Sequence, residues 1–200
     1  MFEQHLAQYQ KELIQSLNEI DPQLFGRFIQ LLVDAYQNDR QVFICGNGGS
    51  AATANHFVCD FGKNAVPEPG KRRFRILSLS DNIEKITALG NDISFDEVFR
   101  QQLINLMRPD DLLIAVSASG NSPNIVKACE YAGEIGGAVV ALAGFSGGKI
   151  KEIADVCLWT PTPSYERVED IHLILLHMVV CCFKENPELL EPSVCAAQLA

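Results

Sequence analysis

The pattern of apolar residues changes near residue 41, and this change divides the chain into two parts. Over residues 2–20 apolar positions recur every three or four residues, which is typical of an amphipathic helix. Asp21 and Pro22 then supply an N-cap and a proline at the first helical position, so a second helix is predicted to about Asn38. Residues 1–40 are therefore predicted to form a helical hairpin, whose apolar stripe packs on the sheet or on a partner subunit.

From residue 41 onward, short apolar runs alternate with longer amphipathic segments. The predicted strands are 42–45, 75–79, 112–116, 138–143 and 156–160. The predicted helices are 50–61, 82–89, 93–107, 122–135, 148–154 and 166–185. Buried strands separated by helices indicate a parallel sheet covered on both faces. We predict an α/β fold in one domain spanning 1–200, with a five-stranded, flavodoxin-like sheet in the core at 41–185 and a weakly patterned tail at 187–200.

Two of these strands lead into loops made of small polar residues. The first loop reads G-N-G-G-S at 46–50, and the second reads S-A-S-G-N-S at 117–122. Small side chains let a ligand approach the backbone, and the helix that follows each loop offers free N–H groups to an anion. In a doubly wound sheet ligands bind at the carboxyl ends of the strands, where both loops lie. The loops predict a site for a polar, phosphorylated small molecule. A dinucleotide site is the weaker interpretation, because no acidic residue is placed to hold a ribose.

Composition narrows the function classes. The 200 residues carry a net charge of −9, which argues against a nucleic-acid partner. No apolar run reaches the roughly 18 residues of a membrane span, and the N-terminal residues lack a signal-peptide pattern. We therefore expect a cytoplasmic protein with no membrane partner. The seven cysteines are odd in number and irregularly spaced, so we expect reduced core residues rather than disulfides.

Three histidines lie near carboxylates on two predicted helices. His56 and Asp60 are four residues apart. Glu169 lies three residues before His172 and eight residues, or two steps of four, before His177. Such spacing places side chains on one helical face, and zinc accepts imidazole and carboxylate ligands. Glu169 and His177 are separated by a helical rise of roughly 12 Å. They can therefore share one metal ion only if their side chains lean strongly toward each other, or if subunits exchange ligands. Otherwise one of them is an acid/base catalyst. The plainer alternatives are a hydrogen-bonded core histidine at 177 and a surface His–Asp pair.

Together these motifs resemble the sugar isomerase (SIS) fold, specifically its phosphoheptose isomerase family. The motifs are C-G-N-G-G-S at 45–50, H-F at 56–57, G-N-D at 90–92, S-x-S-G-N-S at 117–122, G-G-K at 147–149 and E-D-I-H-x4-H at 169–177. The resemblance covers nearly the whole chain. It implies a flavodoxin-type sandwich that assembles as a homotetramer with sites between subunits. It also implies isomerisation of sedoheptulose 7-phosphate to a heptose 7-phosphate through an enediol, without a nucleotide cofactor.

The resemblance implies roles for individual residues. The sugar chain would be bound by Asn47, Gly48, Gly49, Ser50, Asn91, Asp92 and Glu169. The phosphate would be bound by Ser117, Ala118, Ser119 and Ser122. A zinc ion would be bound by His56, Asp60, Glu169 and His177, of which the last three also match catalytic positions. Two positions depart from the family's usual residues, which are Glu at the place of Asp60 and Gln at the place of Glu169.

Other functions stay open at this point. Some relatives with this fold lack the acid/base residues and serve as assembly factors at bacterial replication initiation, and others sense sugar phosphates. An isomerase of a different sugar phosphate is a further alternative, because a fold does not fix a substrate. The histidines and carboxylates that this chain retains favour catalysis.

Overall fold

The computed structural model describes residues 1–191, and its centre is one parallel sheet. The strands are β1 (Gln41–Gly46), β2 (Arg75–Ser78), β3 (Leu112–Ser117), β4 (Ala138–Ala143) and β5 (Val156–Trp159), in the spatial order β2-β1-β3-β4-β5. The helices are α1 (Phe2–Asn18), α2 (Pro22–Gln37), α3 (Gly49–Asn64), α4 (Ile83–Asp92), α5 (Arg100–Leu106), α6 (Pro123–Glu134), α7 (Gly148–Ile153) and α8 (Tyr165–Glu185). The predicted fold, a five-stranded parallel α/β sheet with an N-terminal helical hairpin, is confirmed.

Side chains along each strand alternate between two cores. In β1, Val42 and Ile44 pack into the core that α2, α3 and α8 cover, while Phe43 and Cys45 pack into the opposite core beneath α5 and α6. Since successive residues of a strand face opposite sides, a strand apolar at every position requires both faces to be covered. This requirement explains why the strands read as continuous apolar runs in the sequence.

The helical hairpin is fastened to α8 by polar contacts as well as apolar ones. The Tyr9 hydroxyl donates to the Asp170 carboxylate at 2.6 Å, and Arg167 pairs with Glu12 at 2.5 Å. The second half of α1 packs against the core through Leu13 and Leu17. The first half stays open, since Phe2 is 81% exposed. The predicted apolar stripe of α1 is thus covered by this chain only in part. None of the helices in the described residues has an apolar stretch that could cross a bilayer.

The structure corrects several predicted details. The helix predicted at 93–107 is replaced by a 3₁₀ turn at Phe95–Glu97 and α5. No helix begins at residue 93, because Ser94 is extended at φ −175° and its hydroxyl caps the turn by accepting from the Asp96 N–H. Helix α4 continues through Gly90 to Asp92 rather than ending at residue 89. The predicted tail begins as a 3₁₀ turn at Pro187–Leu190 whose leucines pack on the core, and residues 192–200 lie outside the described part.

The cysteines are free in the described residues, as expected, but not all of them belong to the core. Cys45 and Cys129 are buried, whereas Cys59 and Cys181 are exposed. The expectation of a core position is therefore wrong for these last two. Both lie on the solvent side of helices that pack through their other faces.

A substitution at Gly120 tests how tightly the second loop is packed. Its φ is +65°, and a Cβ at this position would collide with the carbonyl oxygen of Gly147. We expect Gly120→Ala to lower the free energy of unfolding by about 2–4 kcal/mol, because left-handed strain and a backbone clash act together. Gly133→Ala is the matched control, since Gly133 is helical with no atom near its would-be Cβ. Urea denaturation that shows equal stability for both variants would contradict this packing.

Candidate functional site

The site lies where β1 and β3 run side by side. Their residues pair in register, so that Gly46 at the end of β1 lies opposite Val116 near the end of β3. Helix α3 follows β1 and covers one face of the sheet, whereas α6 follows β3 and covers the other face. This is the switch point of a doubly wound sheet, where the diverging helices leave a crevice for a ligand.

The second loop, at 117–122, is held in shape by its own hydrogen bonds. The Gly120 N–H donates to the Ser117 carbonyl and hydroxyl oxygens at 3.1 and 3.2 Å. The Asn121 amide oxygen accepts from the Lys149 backbone N–H at 3.1 Å, which ties the loop to the start of α7. Ser122 is the N-cap of α6, yet its side chain makes no capping bond. The loop therefore offers serine hydroxyls beside the N-terminus of a 12-residue helix, an arrangement that suits an anion.

The first loop, at 46–50, meets α8 through a carboxylate. The Glu169 side chain lies so close to Gly49 that any Cβ at this position would overlap its carboxylate oxygens. Gly49 is the first residue of α3, so the Glu169 charge lies at the positive end of that helix dipole. A side chain at position 49 would therefore displace the Glu169 carboxylate from the loop.

The two loops and α8 enclose one cavity of about 150 Å³. Its walls are formed by Asn47, Ser50, Val116, Ser117, Ala118, Ser119, Ser122, Tyr165 and Glu169. A larger groove of about 410 Å³ lies at the opposite edge of the sheet, where β4 and β5 begin. We assign the site to the smaller cavity, because only there do helix N-termini and strand carboxyl ends converge.

Seven of the eleven residues predicted to bind substrate line this cavity, and four do not. Gly48 and Gly49 are exposed in the first loop beside it. Asn91 and Asp92 lie at the end of α4, exposed and outside the cavity walls, where the Asn91 amide donates to Asp92 at 2.8 Å. Two wall residues were missed, Val116 near the end of β3 and Tyr165, the first residue of α8. Tyr165 packs on Phe145 with ring centroids 4.8 Å apart. The signal was its position just beyond β5, at the same edge of the sheet.

A second constellation lies farther along the same pair of helices. His56 and Asp60 on α3 meet His177 on α8, and their candidate ligand atoms all lie within 4.8 Å of one another. The two imidazole Nε2 atoms are 2.9 Å apart, and the Asp60 carboxylate oxygen is 3.3 Å from His56 and 3.7 Å from His177. We call these three residues the His–Asp–His cluster.

The His–Asp–His cluster fits a divalent metal ion. Ligands at roughly 2.0–2.1 Å around a tetrahedral zinc ion lie roughly 3.3 Å apart, which is close to the three observed separations. Two facing imidazole nitrogens also compete for a single proton, whereas one cation satisfies both lone pairs. Glu169 does not join the cluster within the chain, because the eight residues that separate it from His177 carry it about two helical turns away. It lines the cavity instead.

His172 is excluded from acid/base work by burial. It is fully buried on α8, and neither ring nitrogen completes a hydrogen bond within the described residues. Burial lowers its pKa from 6.5 to about 4, which the nearby Ala143 backbone offsets only in part. The ring is therefore neutral at physiological pH and cannot supply a proton there.

Comparison with known proteins agrees with this architecture. The SIS domain family model matches residues 7–144. The chain is 34% identical over 177 residues to the phosphoheptose isomerase of Helicobacter pylori strain P12, covering 88% of each chain. It is 39% identical over 170 residues to that of Bordetella avium strain 197N, covering 82% of this chain and 83% of the other. The structure of phosphoheptose isomerase GmhA from Neisseria gonorrhoeae superimposes with a TM-score of 0.83 at 32% identity, covering 92% of this chain and all of that one.

The fold, the loop pair and these matches define a sugar-isomerase (SIS) domain protein. Within that class the chain belongs to the phosphoheptose isomerase family, as the motifs predicted. The region matched by the SIS family model, residues 7–144, includes both loops.

Metal binding can be measured directly on the His–Asp–His cluster. We expect one Zn²⁺ or Co²⁺ per chain by titration calorimetry, and we expect His56→Ala or His177→Ala to weaken binding by more than about 100-fold, because each removes one of three ligands. His5→Ala, on an exposed position of α1, is the matched control. A His177→Ala variant that binds as tightly as the parent would rule out this site.

His172 makes a separate prediction about acid stability. Its pKa of about 4 lies below the unfolded value of 6.5, so the unfolded chain takes up the proton first and stability falls as pH drops from 6.5 towards 4. Between pH 7.5 and 4.5 this contributes a loss of about 2–3 kcal/mol. His172→Leu should lose that much less than the parent in urea denaturation over the same interval. Equal losses in both proteins would show that the His172 ring is protonated in the folded state.

Proposed function

We propose that this chain is an aldose–ketose isomerase that converts sedoheptulose 7-phosphate to a heptose 7-phosphate through a cis-enediol. The observation that carries the proposal is the meeting of the serine loop, the asparagine–glycine loop and the Glu169 carboxylate in one cavity, in a chain of the phosphoheptose isomerase family. The His–Asp–His cluster on the same two helices supplies further ionisable groups.

The serine loop is proposed to hold the phosphate. Ser117, Ser119 and Ser122 offer hydroxyls to its oxygens, and the Ala118 backbone lies between them in the cavity wall. The α6 N-terminus adds the attraction of its dipole for a dianion. Asn47, Gly48, Gly49 and Ser50, from the first loop, are proposed to bind the sugar hydroxyls, and Glu169 accepts from a hydroxyl in the middle of the chain.

The isomerisation moves a proton between C1 and C2. A base removes a proton from C1 of the ketose, an acid protonates the C2 oxygen, and the enediol then loses the C1 hydroxyl proton and gains a proton at C2. We propose Asp60 as the base and His177 as the acid. Neither lines the cavity of its own chain, so we propose that they act on substrate in the cavity of a neighbouring subunit. Glu169 is the alternative base. The family usually has Gln at its position, which cannot accept that proton, so Asp60 is the better candidate.

A zinc ion is the metal we propose for the His–Asp–His cluster. His56, Asp60 and His177 would hold it through one atom each, which would leave the second Asp60 oxygen to accept a proton and the second ring nitrogen of His177 to donate one. When bound, such an ion polarises a carbonyl and acidifies neighbouring hydroxyls.

Assembly is proposed to complete the site. The exposed positions of Asn91 and Asp92, outside the cavity of their own chain, agree with a role at the cavity of a neighbouring subunit. The open half of α1 is a further surface for contact between subunits. We propose a homotetramer in the cytoplasm with sites between subunits, and one domain over the whole chain.

Proton transfer is tested by incubating the metal-loaded protein with sedoheptulose 7-phosphate in deuterated water. We expect deuterium at the carbon beside the carbonyl, detected by NMR and mass spectrometry. Asp60→Asn and His177→Ala should each slow exchange by about 10²–10⁴-fold, as expected for loss of a general base or acid. Glu169→Gln, which installs the usual family residue, should cost no more than about tenfold.

Three other outcomes have distinct meanings. Loss of exchange in Glu169→Gln with retention in Asp60→Asn would make Glu169 the base. A parent protein whose melting temperature rises with the sugar phosphate, but which exchanges no deuterium, would be a binding or assembly protein. Exchange with a different sugar phosphate alone would keep the chemistry and change the substrate.

A further inference from the structure

Asn124 makes an unusual contact across the site. It is the second residue of α6 and is only 1% exposed. Its side-chain amide donates to the Asn47 amide oxygen at 2.9 Å, and the Asn47 amide donates back to the Asn124 oxygen at 2.9 Å. The pair is therefore a closed ring of two hydrogen bonds between the first loop and the helix that follows the second loop.

Such a ring fixes the orientation of both amides. Turning either side chain by 180° on its own would set oxygen against oxygen and NH₂ against NH₂, and Asn124 is buried where water cannot replace the lost bonds. Asn47 lines the cavity, whereas Asn124 is not among the wall residues. After the ring is made, Asn47 still has one amide hydrogen and one acceptor position, and these are its groups left for a ligand.

Asn124 also belongs to the proposed phosphate-binding element through its main chain. Its backbone lies in the first turn of α6, directly after Ser122 and Pro123. A shift of the α6 N-terminus is therefore transmitted to Asn47 through two hydrogen bonds, without any contact between Asn124 and the ligand.

We propose that Asn124 is a positioning residue, which holds Asn47 in the orientation that recognises the sugar chain and couples the first loop to the phosphate-binding end of α6. This inference rests on the proposed function for the identity of the ligand. It adds that recognition of the sugar chain depends on a buried residue outside the cavity, whereas binding of the phosphate group alone does not.

A double-mutant cycle tests the inference. Asn47→Ala and Asn124→Ala should each lower kcat/KM for sedoheptulose 7-phosphate by about 10–100-fold, since small misplacement of a positioning group has effects of this size. If Asn124 acts through Asn47, the double variant should be no more than about twofold worse than Asn47→Ala. Additive losses would overturn the proposal. Asn105→Ala, an exposed asparagine of α5, is the matched control and should behave as the parent.

Inorganic phosphate separates positioning from general damage to the fold. We expect Asn124→Ala to bind inorganic phosphate within about twofold of the parent in calorimetry, because the serine loop keeps its own hydrogen bonds. A loss of phosphate affinity as large as the loss for the sugar phosphate would show that Asn124 merely maintains the α6 N-terminus, and the proposal would be wrong.

A readout without substrate keeps this inference separate from the proposed function. In the parent, the Asn47 side-chain amide proton that donates to Asn124 should exchange slowly with water in NMR spectra, and in Asn124→Ala it should exchange at least about tenfold faster, as for an amide released from a buried hydrogen bond. Slow exchange in both proteins would contradict the ring. If the parent shows the protected amide but no isomerisation, the proposed function fails while the positioning role stands.

Discussion

The structure depends on the in-register pairing of β1 and β3 at the centre of the sheet. Because Gly46 lies opposite Val116, both loops leave the sheet at the same level. Because α3 and α6 then cover opposite faces, the helix N-termini diverge around one crevice instead of packing against each other. Everything that the site offers, from the serine hydroxyls to the Glu169 carboxylate, is placed by elements that begin or end at this edge.

Close contacts of backbone and side chains then fix the shape of the crevice from several sides. Gly49 lets the Glu169 carboxylate approach α3, and Gly120 lets the second loop pack on Gly147. The Asn47–Asn124 ring ties the first loop to α6, and Asn121 ties the second loop to α7. A loop of small residues has little side-chain packing of its own, so these contacts are what give it a defined shape.

The fold could be predicted from the sequence almost completely, and the site only in part. Short continuous apolar runs between amphipathic segments predicted the strands and nearly all helices, since parallel strands buried on both faces leave a strong pattern. The helix at 93–107 was predicted wrongly because hydrophobic period does not reveal that Ser94 is extended or that a separate 3₁₀ turn precedes α5. The proximity of His56 to His177, 121 residues apart, follows from the packing of α3 on α8 and was suggested only by the resemblance.

Other features could not be predicted from spacing along the chain. Glu169 and His177 share a helix, but axial rise places one in the cavity and the other in the His–Asp–His cluster. Asn124 had no sequence signal of its own, since an asparagine in the first turn of a helix is ordinarily exposed or capping. Its role depends on a partner 77 residues away, which only the sheet order brings near.

The central claim is that the two loops form one site for one ligand. It is tested most directly by titrating ¹⁵N-labelled, metal-loaded protein with sedoheptulose 7-phosphate and following the backbone amides of residues 46–50 and 117–122. The account predicts that both sets shift together with a single dissociation constant, while inorganic phosphate shifts chiefly the second set. A response of only one loop to the sugar phosphate, or two different dissociation constants for the two loops, would contradict it.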